Sequence, residues 1–404
     1  MVTKRRLPRP AELAQVLRPK PVVLNPTDRR LGAAHTIADL RTIARKRTPR
    51  AVFDYTDGAA ELEDSLRRAR QAFRGVEFHP NVLRGVSDVD TSVEVLGARS
   101  ELPFALAPTG FTRMMHHEGE SAVARVAERA GIPYTLSTMG TTSIEAVAQA
   151  APGARRWFQL YVWRDHAAGA DLMRRAWESG YDTLQLTVDT PVGGARMRDV
   201  RNGLTIPPAL TLRTFLDGAT HPAWWFNLLT TEPLQFASLS QWSGTAAELI
   251  NAMFDPTLSY DDLAWVRESW PGTLVVKGIQ NPADARDVVR AGADAVVLSN
   301  HGGRQLDRAP TPLELLPATL DAVAGEAEVW VDTGILSGGD VVAATAMGAG
   351  LCLVGRAYLY GLMAGGERGV QRAVDILRAE IVRTLQLLGV RTIGALTPSH
   401  ATLR

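Results

Sequence analysis

The sequence predicts an α/β fold, a closed (β/α)8 TIM barrel with an N-terminal helical cap and a long insertion after its fourth strand. From about residue 103 onward, short β-branched and apolar runs alternate with longer amphipathic stretches, which is typical of repeated strand–helix units. Eight such runs are present, and eight strands close a barrel of this kind. Polar or glycine-rich residues follow every run, so we expect a functional site at the carboxyl ends of the strands.

The eight runs define the predicted strands. They are residues 104–107, 134–137, 157–161, 183–188, 274–277, 295–299, 329–332 and 351–354. Between them, stretches such as 119–130 and 282–291 carry apolar residues on one face, which predicts helices that pack against the barrel. The second stretch has a proline near its start and Gly292 at its end, as helices often do.

The chain divides into two predicted regions. Residues 1–102 form a helical cap, with candidate helices at 37–46 and 60–72, and residues 103–404 form the barrel. The segment from about 203 to 256 is too long for an ordinary strand–helix loop, so we predict a lid or an inserted element there.

The insertion contains a cluster of large apolar residues, for which two interpretations remain open. A buried lid core and a surface that contacts a membrane both need such residues. The cluster consists of Trp224, Trp225, Phe226, Leu228 and Leu229.

Composition excludes several classes of protein. The 404 residues are 46% hydrophobic and 22% charged, as in soluble globular proteins, and the net charge of +1 is too balanced for nonspecific nucleic-acid binding. The single cysteine, Cys352, is expected in the core and excludes an intramolecular disulfide and any zinc or iron–sulfur site with several cysteines. His116 and His117, with Glu118 and Glu120, are interpreted as solvated loop residues rather than metal ligands, so we predict no metal site. The chain has neither the apolar region of a signal peptide nor about 18 consecutive apolar residues, so we expect a cytoplasmic protein.

Two glycine-rich turns follow the seventh and eighth predicted strands. The first covers residues 332–340, and the second begins with Gly355 and Arg356. Barrels commonly bind phosphate here through backbone N–H groups and the start of a short helix. Either turn alone could merely reverse the chain, but the two together with the charge of Arg356 favour a phosphate site.

The stretch 299–307, Ser-Asn-His-Gly-Gly-Arg-Gln-Leu-Asp, places His301 just after the sixth predicted strand and Arg304 three residues further on. A lone histidine is more often structural than catalytic. At the mouth of a barrel, beside an arginine and two glycines, a general base next to a carboxylate-binding group is the better interpretation.

With this motif the sequence strongly resembles the FMN-dependent L-2-hydroxy acid oxidases and dehydrogenases, a family that includes glycolate oxidase, lactate oxidase and mandelate dehydrogenase. The resemblance covers nearly the whole chain. Within the family, the sequence is most similar to bacterial L-lactate dehydrogenases of the LldD type. The further matching motifs are VFDY (52–55), APTG (107–110), FQLYV (158–162), LTVDTP (186–191), VKG (276–278) and GRAYLYGL (355–362).

The resemblance implies that the cofactor is FMN. Its ring would lie against residues 108–110, and its ribityl chain and phosphate would contact the turns after the seventh and eighth strands. Lys277 would face N1 and O2 of the ring, where a cation stabilises the negative charge of the reduced flavin. The residues implied in cofactor binding are Pro108, Thr109, Gly110, Ser137, Gln159, Tyr161, Thr187, Lys277, Ser299, Asp332, Thr333, Gly334, Ile335, Leu336, Gly355 and Arg356.

The resemblance also implies how a hydroxy acid is held. Arg196 and Arg304, with the hydroxyl of Tyr55, would bind its carboxylate, because planar guanidinium groups match carboxylates geometrically. Tyr161 would hydrogen-bond the hydroxyl or the nascent keto oxygen.

The implied catalytic residues are His301, Asp189 and Tyr161. His301 would remove a proton, and Asp189 would stabilise the resulting imidazolium. Transfer of the Cα hydrogen as hydride and a carbanion route both use these residues, so the two remain open.

Three positions depart from the pattern of many family members. Leu336 replaces an arginine that faces the phosphate, which leaves Arg356 as the expected phosphate cation. Met139 replaces a tryptophan of many glycolate oxidases, and its flexibility leaves the substrate size open. Gly110 stands where several oxidases carry alanine, which favours a dehydrogenase.

We therefore expect oxidation of a small L-2-hydroxy acid, L-lactate to pyruvate, with electrons passed to quinone or a cytochrome. The alternatives are an oxidase that forms hydrogen peroxide and a mandelate-type dehydrogenase with a larger substrate. A phosphosugar isomerase and a catalytically silent flavin protein are disfavoured, because neither needs Lys277, His301 and both arginines together. The resemblance implies a tetramer, and peripheral attachment to the inner face of the cell membrane is left open.

Overall fold

The computed structural model contains a closed barrel of eight parallel strands, which confirms the predicted fold class. The structure describes residues 6–16, 23–163, 166–203, 217–239 and 254–404. With all strands numbered in chain order, those of the barrel are β4 (Phe104–Leu106), β5 (Tyr134–Ser137), β6 (Arg156–Leu160), β7 (Thr183–Thr187), β8 (Thr273–Ile279), β9 (Ala295–Leu298), β10 (Glu328–Val331) and β11 (Leu351–Val354).

All eight predicted strands are confirmed, within about two residues at each end. The barrel closes where β11 pairs with β4, with Cys352 opposite Phe104. Cys352 is buried, as predicted. Parallel pairing aligns the carboxyl ends of neighbouring strands at one rim, for example Thr187 beside Lys277.

Helices surround the barrel and connect its strands. The predicted helix at 119–130 has the expected bounds, and the helix predicted at 282–291 ends one residue earlier. These helices are α6 (Thr112–Met115), α7 (Gly119–Ala130), α8 (Ile144–Ala150), α9 (His166–Glu178), α10 (Met197–Asn202), α11 (Pro222–Thr230), α12 (Tyr260–Ser269), α13 (Pro282–Arg290), α14 (Pro312–Val323), α15 (Gly338–Ala346) and α16 (Arg356–Leu388).

The residues before the barrel are mainly helical, but they also contain short strands. Strands β2 and β3 form an antiparallel pair, and β1 pairs with β12 near the C-terminus. The elements are α1 (Pro10–Val16), α2 (Pro26–Gly32), α3 (Ile37–Arg47), α4 (Arg50–Asp57), α5 (Asp64–Arg74), β1 (Val76–Phe78), β2 (Val93–Val95), β3 (Ala98–Ser100) and β12 (Ala401–Leu403).

The helix predicted at 60–72 was placed four residues too early, since α5 begins at Asp64. The reason is a contact across the fold: the carboxylate of Asp307 accepts hydrogen bonds from the backbone N–H groups of Leu62, Asp64 and Ser65. Glu63 takes a left-handed conformation, with φ of 64°, so the chain turns before the helix starts.

The insertion lies between α10 and α12, and its residues 204–216 and 240–253 are outside the described part of the chain. Helix α11 carries the predicted apolar cluster. Trp224 is half-buried and donates a hydrogen bond to the carbonyl of Met114, whereas Phe226 and Leu229 are about 70% exposed. One face of the helix thus packs on the barrel and the other faces outward. No helix within the described ranges has both the length and the apolar character needed to cross a membrane.

Alternate side chains of the barrel strands fill the interior of the barrel. At its centre the rings of Trp157 and Trp330 stack with centroids 5.1 Å apart, and both residues are fully buried. The Trp330 indole N–H also donates to the carboxylate of Glu328 at 2.8 Å. This stack lies beneath the strand ends that form the rim.

We expect Trp330→Ala to destabilise the protein by about 3–5 kcal/mol, because it leaves a cavity beside Trp157 and removes the indole N–H that one oxygen of Glu328 accepts. Trp177→Ala, at a residue that is 47% exposed, is the matched control and should cost much less. Chemical unfolding of the two variants measures the difference. Equal losses would show that the stack does not stabilise the barrel.

Candidate active site

A cavity of about 260 Å³ opens at the carboxyl ends of the barrel strands. Two predicted site residues lie behind its wall: the Asp189 side chain is 1% exposed, and Ser299 is fully buried. The other predicted residues all line it, namely Tyr55, Pro108, Thr109, Gly110, Ser137, Gln159, Tyr161, Thr187, Arg196, Lys277, His301, Arg304, Asp332, Thr333, Gly334, Ile335, Leu336, Gly355 and Arg356.

His301 and Asp189 form a pair at the edge of this cavity. Nδ1 of His301 lies 3.0 Å from a carboxylate oxygen of Asp189, which leaves Nε2 as the nitrogen that faces away from the aspartate. The backbone N–H of His301 donates to the hydroxyl of Ser299 at 3.0 Å, and His301 has a left-handed φ of 58°. Ser299 therefore anchors the backbone of His301, and Asp189 orients its imidazole.

Two residues that the sequence did not single out position this pair. Gly278 has a φ of 107° at a bulge in β8, and a Cβ there would lie 2.7 Å from Cβ and Cγ of Asp189. The side-chain amide of Gln305 donates to the carbonyls of Asp189 and Val192. It therefore ties the loop after β7 to the loop after β9. Both residues lie in motifs noted in the sequence, but only the fold shows what they contact.

Two arginines face the cavity beside Tyr55. The Arg304 guanidinium carbon lies 4.8 Å from the centroid of the Tyr55 ring, and that of Arg196 lies 5.9 Å from it. Burial, and then the positive charge of Arg196, lower the pKa of Arg304 to about 10. Because the two cations oppose each other, an anion bound between them would relieve their repulsion.

Lys277 supplies a buried positive charge on the floor of the cavity. Its ammonium lies 2.9 Å from the carboxylate of Asp332 and 3.1 Å from the hydroxyl of Ser299. Burial alone would lower the pKa of Lys277, but the carboxylates of Asp332 and Asp189 outweigh burial and raise it. Lys277 is therefore a permanent cation. The hydroxyl of Ser299 contacts Lys277, Asp332 and the backbone N–H of His301.

Two neighbouring strand ends, those of β6 and β7, present polar groups that lack partners within the described chain. Gln159 accepts a hydrogen bond from Ser137 through its side-chain oxygen, but its side-chain Nε2 is buried without a partner. The hydroxyl of Thr187 is likewise buried and unpaired. Buried polar groups are rarely left unpaired, so these atoms indicate a bound molecule with a polar edge. The isoalloxazine ring of FMN, implied by the resemblance, has such an edge and fits this site.

The turns after β10 and β11 form the other end of the cavity. The backbone N–H groups of Gly334 and Ile335 make no hydrogen bond within the described residues. Arg356 donates to the carbonyls of Thr56 and Gly58 at 2.9 and 2.8 Å, which holds its guanidinium at the cavity wall. Free amides beside a fixed cation suit a phosphate group.

Arg70 of helix α5 also lines the cavity, so a second guanidinium is present where the sequence had predicted that Arg356 carries the phosphate charge largely alone. Arg70 hydrogen-bonds the carbonyl of Gly334 and lies 2.7 Å from a carboxylate oxygen of Asp340. The same Asp340 carboxylate accepts the backbone N–H of Leu336 at 2.8 Å. No local pattern marked Arg70, since it lies in the cap far along the chain.

Met139, Gly110 and Phe254 form part of the cavity wall. A Cβ at Gly110 would lie 3.0 Å from the Cβ of Met139, so these two residues are already in close contact. Phe254, the first described residue after the gap in the insertion, was not predicted. The insertion therefore contributes to the shape of the cavity.

A model of the FMN-dependent dehydrogenase family matches residues 44–403. A putative L-lactate dehydrogenase of Mycobacterium tuberculosis is 58% identical over 402 residues, covering 100% of this chain and 97% of that protein. An L-lactate dehydrogenase of Xanthomonas campestris is 42% identical over 367 residues, covering 89% of this chain and 95% of that protein.

Solved structures of two further proteins are similar across most of the chain. A monotopic membrane protein, (S)-mandelate dehydrogenase, has a TM-score of 0.88 at 38% identity, covering 92% of this chain and 100% of that one. A mandelate oxidase has a TM-score of 0.78 at 37% identity, covering 92% of this chain and 99% of that one.

We expect Gly278→Ala to push Asp189 away from His301, because the new Cβ has no room beside the Asp189 side chain. Gly325→Ala is the control: Gly325 also has a positive φ, of 80°, but a Cβ there meets nothing within 4 Å. Both variants should lose about 1–2 kcal/mol of stability from the backbone conformation. Crystal structures of both should show the 3.0 Å contact lengthened only in Gly278→Ala. An unchanged contact there would remove Gly278 from the positioning of the pair.

Proposed function

This chain belongs to the FMN-dependent dehydrogenase family, and from that premise we propose that it oxidises L-lactate to pyruvate. It is an FMN-dependent 2-hydroxy acid dehydrogenase. The observation that carries the proposal is His301, which is paired with the buried Asp189 and lines one cavity together with Arg196, Arg304 and Lys277. The relative that is 58% identical bears the name of a putative L-lactate dehydrogenase, which supports this choice of substrate.

In the proposed reaction, Arg196 and Arg304 bind the substrate carboxylate, assisted by the hydroxyl of Tyr55. Each hydrogen bond between a guanidinium and a carboxylate contributes about 1.5–3 kcal/mol. Because Arg304 stacks on the ring of Tyr55, its orientation is set before the substrate arrives. The carboxylate then directs the Cα atom toward His301.

His301 then acts as the base. Its Nε2 accepts the proton of the substrate hydroxyl, while Nδ1 keeps its contact with Asp189, whose negative charge stabilises the imidazolium that forms. Tyr161 lines the same cavity, and burial raises its pKa well above the ordinary value. Tyr161 therefore remains protonated and donates a hydrogen bond to the oxygen that becomes the keto group.

FMN, when bound, supplies the acceptor for two electrons and the Cα hydrogen. The residues that would hold it are Gln159, Thr187 and Lys277 at the polar edge and Arg70 and Arg356 at the phosphate. Lys277 places a buried positive charge where negative charge develops, and a low-dielectric site strengthens that interaction.

A larger aromatic hydroxy acid is the second candidate substrate. Its support is the structural similarity to a mandelate dehydrogenase and a mandelate oxidase. The flexible side chain of Met139 in the cavity wall would move aside more easily than a tryptophan. L-lactate is preferred because the more similar relatives carry that name.

We further propose that quinone or a cytochrome accepts the electrons and that the protein attaches peripherally to the inner face of the cell membrane. The exposed Phe226 and Leu229 of α11 support membrane contact, as does similarity to a monotopic membrane protein. The tetramer implied by the resemblance stays a prediction.

His301→Gln should retain FMN but slow anaerobic bleaching of the flavin by L-lactate roughly 10²- to 10⁴-fold, because a base contributes about that much and no other histidine among the described residues lines the cavity. Stopped-flow absorbance measures the rate. His35→Gln, at an exposed histidine of the cap, is the matched control and should react like the wild type. A wild-type rate in His301→Gln would mean that another group is the base.

The wild-type enzyme, once reduced by L-lactate, should pass its electrons to quinone analogues far faster than to oxygen. The reason is Gly110, which stands where several oxidases of the family carry alanine, together with the exposed apolar face of α11. Double-mixing stopped-flow experiments with air or with a soluble quinone measure both rates. Rapid reoxidation by air with slow turnover on quinone would make the protein an oxidase.

A further inference from the structure

A second cavity, of about 290 Å³, lies beside the barrel and outside the proposed active site. It is bounded by α2, the loop between α6 and α7, helix α11 and the kink in α16 at Gly365 and Gly366. Met115 is the one described residue that lines both cavities. Nothing in the proposed reaction uses the other residues of this second cavity.

Positive charge dominates its lining. Arg30, Arg47, Arg113 and Arg368 all line the cavity, against the carboxylates of Glu118 and Glu367. Both carboxylates are already engaged with other groups of the protein. Glu367 is paired with two arginines of helix α7, Arg125 and Arg129, at 2.7 and 2.6 Å, and Glu118 accepts the backbone N–H of Glu367 at 2.6 Å.

The four arginines are incompletely neutralised. Arg30 and Arg113 donate to backbone carbonyls, which carry no net charge, and Arg368 pairs with Asp28, where both side chains are about half-exposed. The side chain of Arg47 makes no hydrogen bond or ion pair with the described residues. Burial, followed by the charges of Arg47 and Arg368, lowers the pKa of Arg30, as expected for crowded cations.

Two histidines extend the polar wall. Nδ1 of His117 is buried with no partner among the described residues. Burial, then His117 and Arg47, lower the pKa of His116 to about 3, so His116 is a neutral group. Nitrogen atoms of both histidines and an oxygen of Glu118 lie within 4.8 Å of one another, a spacing that suits a metal ion. The surrounding arginines oppose a cation, however, and favour an anion.

We propose that this cavity binds the phosphate group of an anionic phospholipid, with Arg47 as its main charged contact. Guanidinium groups from several directions match the oxygens of a phosphate. Trp224 and Leu228 of α11 line the cavity, whereas Phe226 and Leu229 of the same helix are exposed. A lipid could therefore place its phosphate in the cavity and its acyl chains along this helix. The anion site stands independently of the proposed reaction, and only the lipid as its source rests on the proposed membrane contact.

The test compares FMN-loaded wild type, Arg47→Gln and the control Lys46→Gln, which removes the neighbouring charge outside the cavity. Thermal unfolding is followed with inorganic phosphate at constant ionic strength, and flotation is followed with phosphatidylcholine vesicles with and without phosphatidylglycerol. Inorganic phosphate should stabilise the wild type and Lys46→Gln against thermal unfolding. Arg47→Gln should bind phosphate about tenfold more weakly, because it loses a charge-assisted hydrogen bond. Flotation with phosphatidylglycerol should fall only in Arg47→Gln.

Each outcome decides the proposal. If Arg47→Gln loses both stabilisation by phosphate and flotation with phosphatidylglycerol vesicles, the result supports a lipid phosphate. If it loses only stabilisation by phosphate, the site binds a soluble phosphate ester and the lipid proposal is overturned. Equal responses in all three proteins, or stabilisation by Zn²⁺ alone, would overturn the anion site. Arg368→Gln, with Arg29→Gln as its control, repeats the test if Arg47→Gln does not fold. Neither readout uses turnover, so a failure here leaves the proposed reaction untouched.

Discussion

Closure of the barrel is the constraint on which the site depends. Pairing of β11 with β4 completes a ring of eight parallel strands, so the residue after every strand lies at the same rim. Side chains that are far apart along the chain, such as Thr187 and Lys277, then become neighbours in register. The stacked Trp157 and Trp330 fill the interior beneath them, so the functional groups have a rigid floor.

Three basic side chains that line the cavity are each paired with an aspartate. Asp189 pairs with His301, Asp332 with Lys277 and Asp340 with Arg70. In each pair the basic residue lines the cavity, whereas Asp189 and Asp340 do not. The carboxylates orient the basic groups. Because a buried charge without a partner is costly, this arrangement allows three basic groups to converge on one small volume. Arg196 and Arg304 are different: neither forms an ion pair with a carboxylate of the described residues, although the charge of Asp199 acts on both. The proposed substrate carboxylate would supply the paired negative charge.

Helix α11 connects the active site to the surface of the protein. It belongs to the insertion that also contributes Phe254 to the wall of the active site, and it packs on the barrel through Trp224. On its outer side it exposes apolar residues next to the arginine-lined second cavity. We therefore propose that one inserted segment contacts the membrane, borders an anion site and shapes the substrate cavity. The anion site occurs in a chain whose net charge is only +1. Clustering of charge, which composition cannot reveal, makes a local anion site possible.

The sequence by itself determined the eight strands, because burial on both faces of a parallel strand leaves a continuous apolar run that can be read locally. It also identified the residues at the ends of these strands, since their motifs are contiguous and resemble those of a known family. Only the tertiary structure decided where α5 begins, that Arg70 reaches the turn after β10, and that Gly278 makes room for Asp189. It alone brought Arg30, Arg47, Arg113 and Arg368 to one cavity. The physical reason is the same in each case: these features depend on contacts between residues far apart in the chain, which local periodicity does not encode.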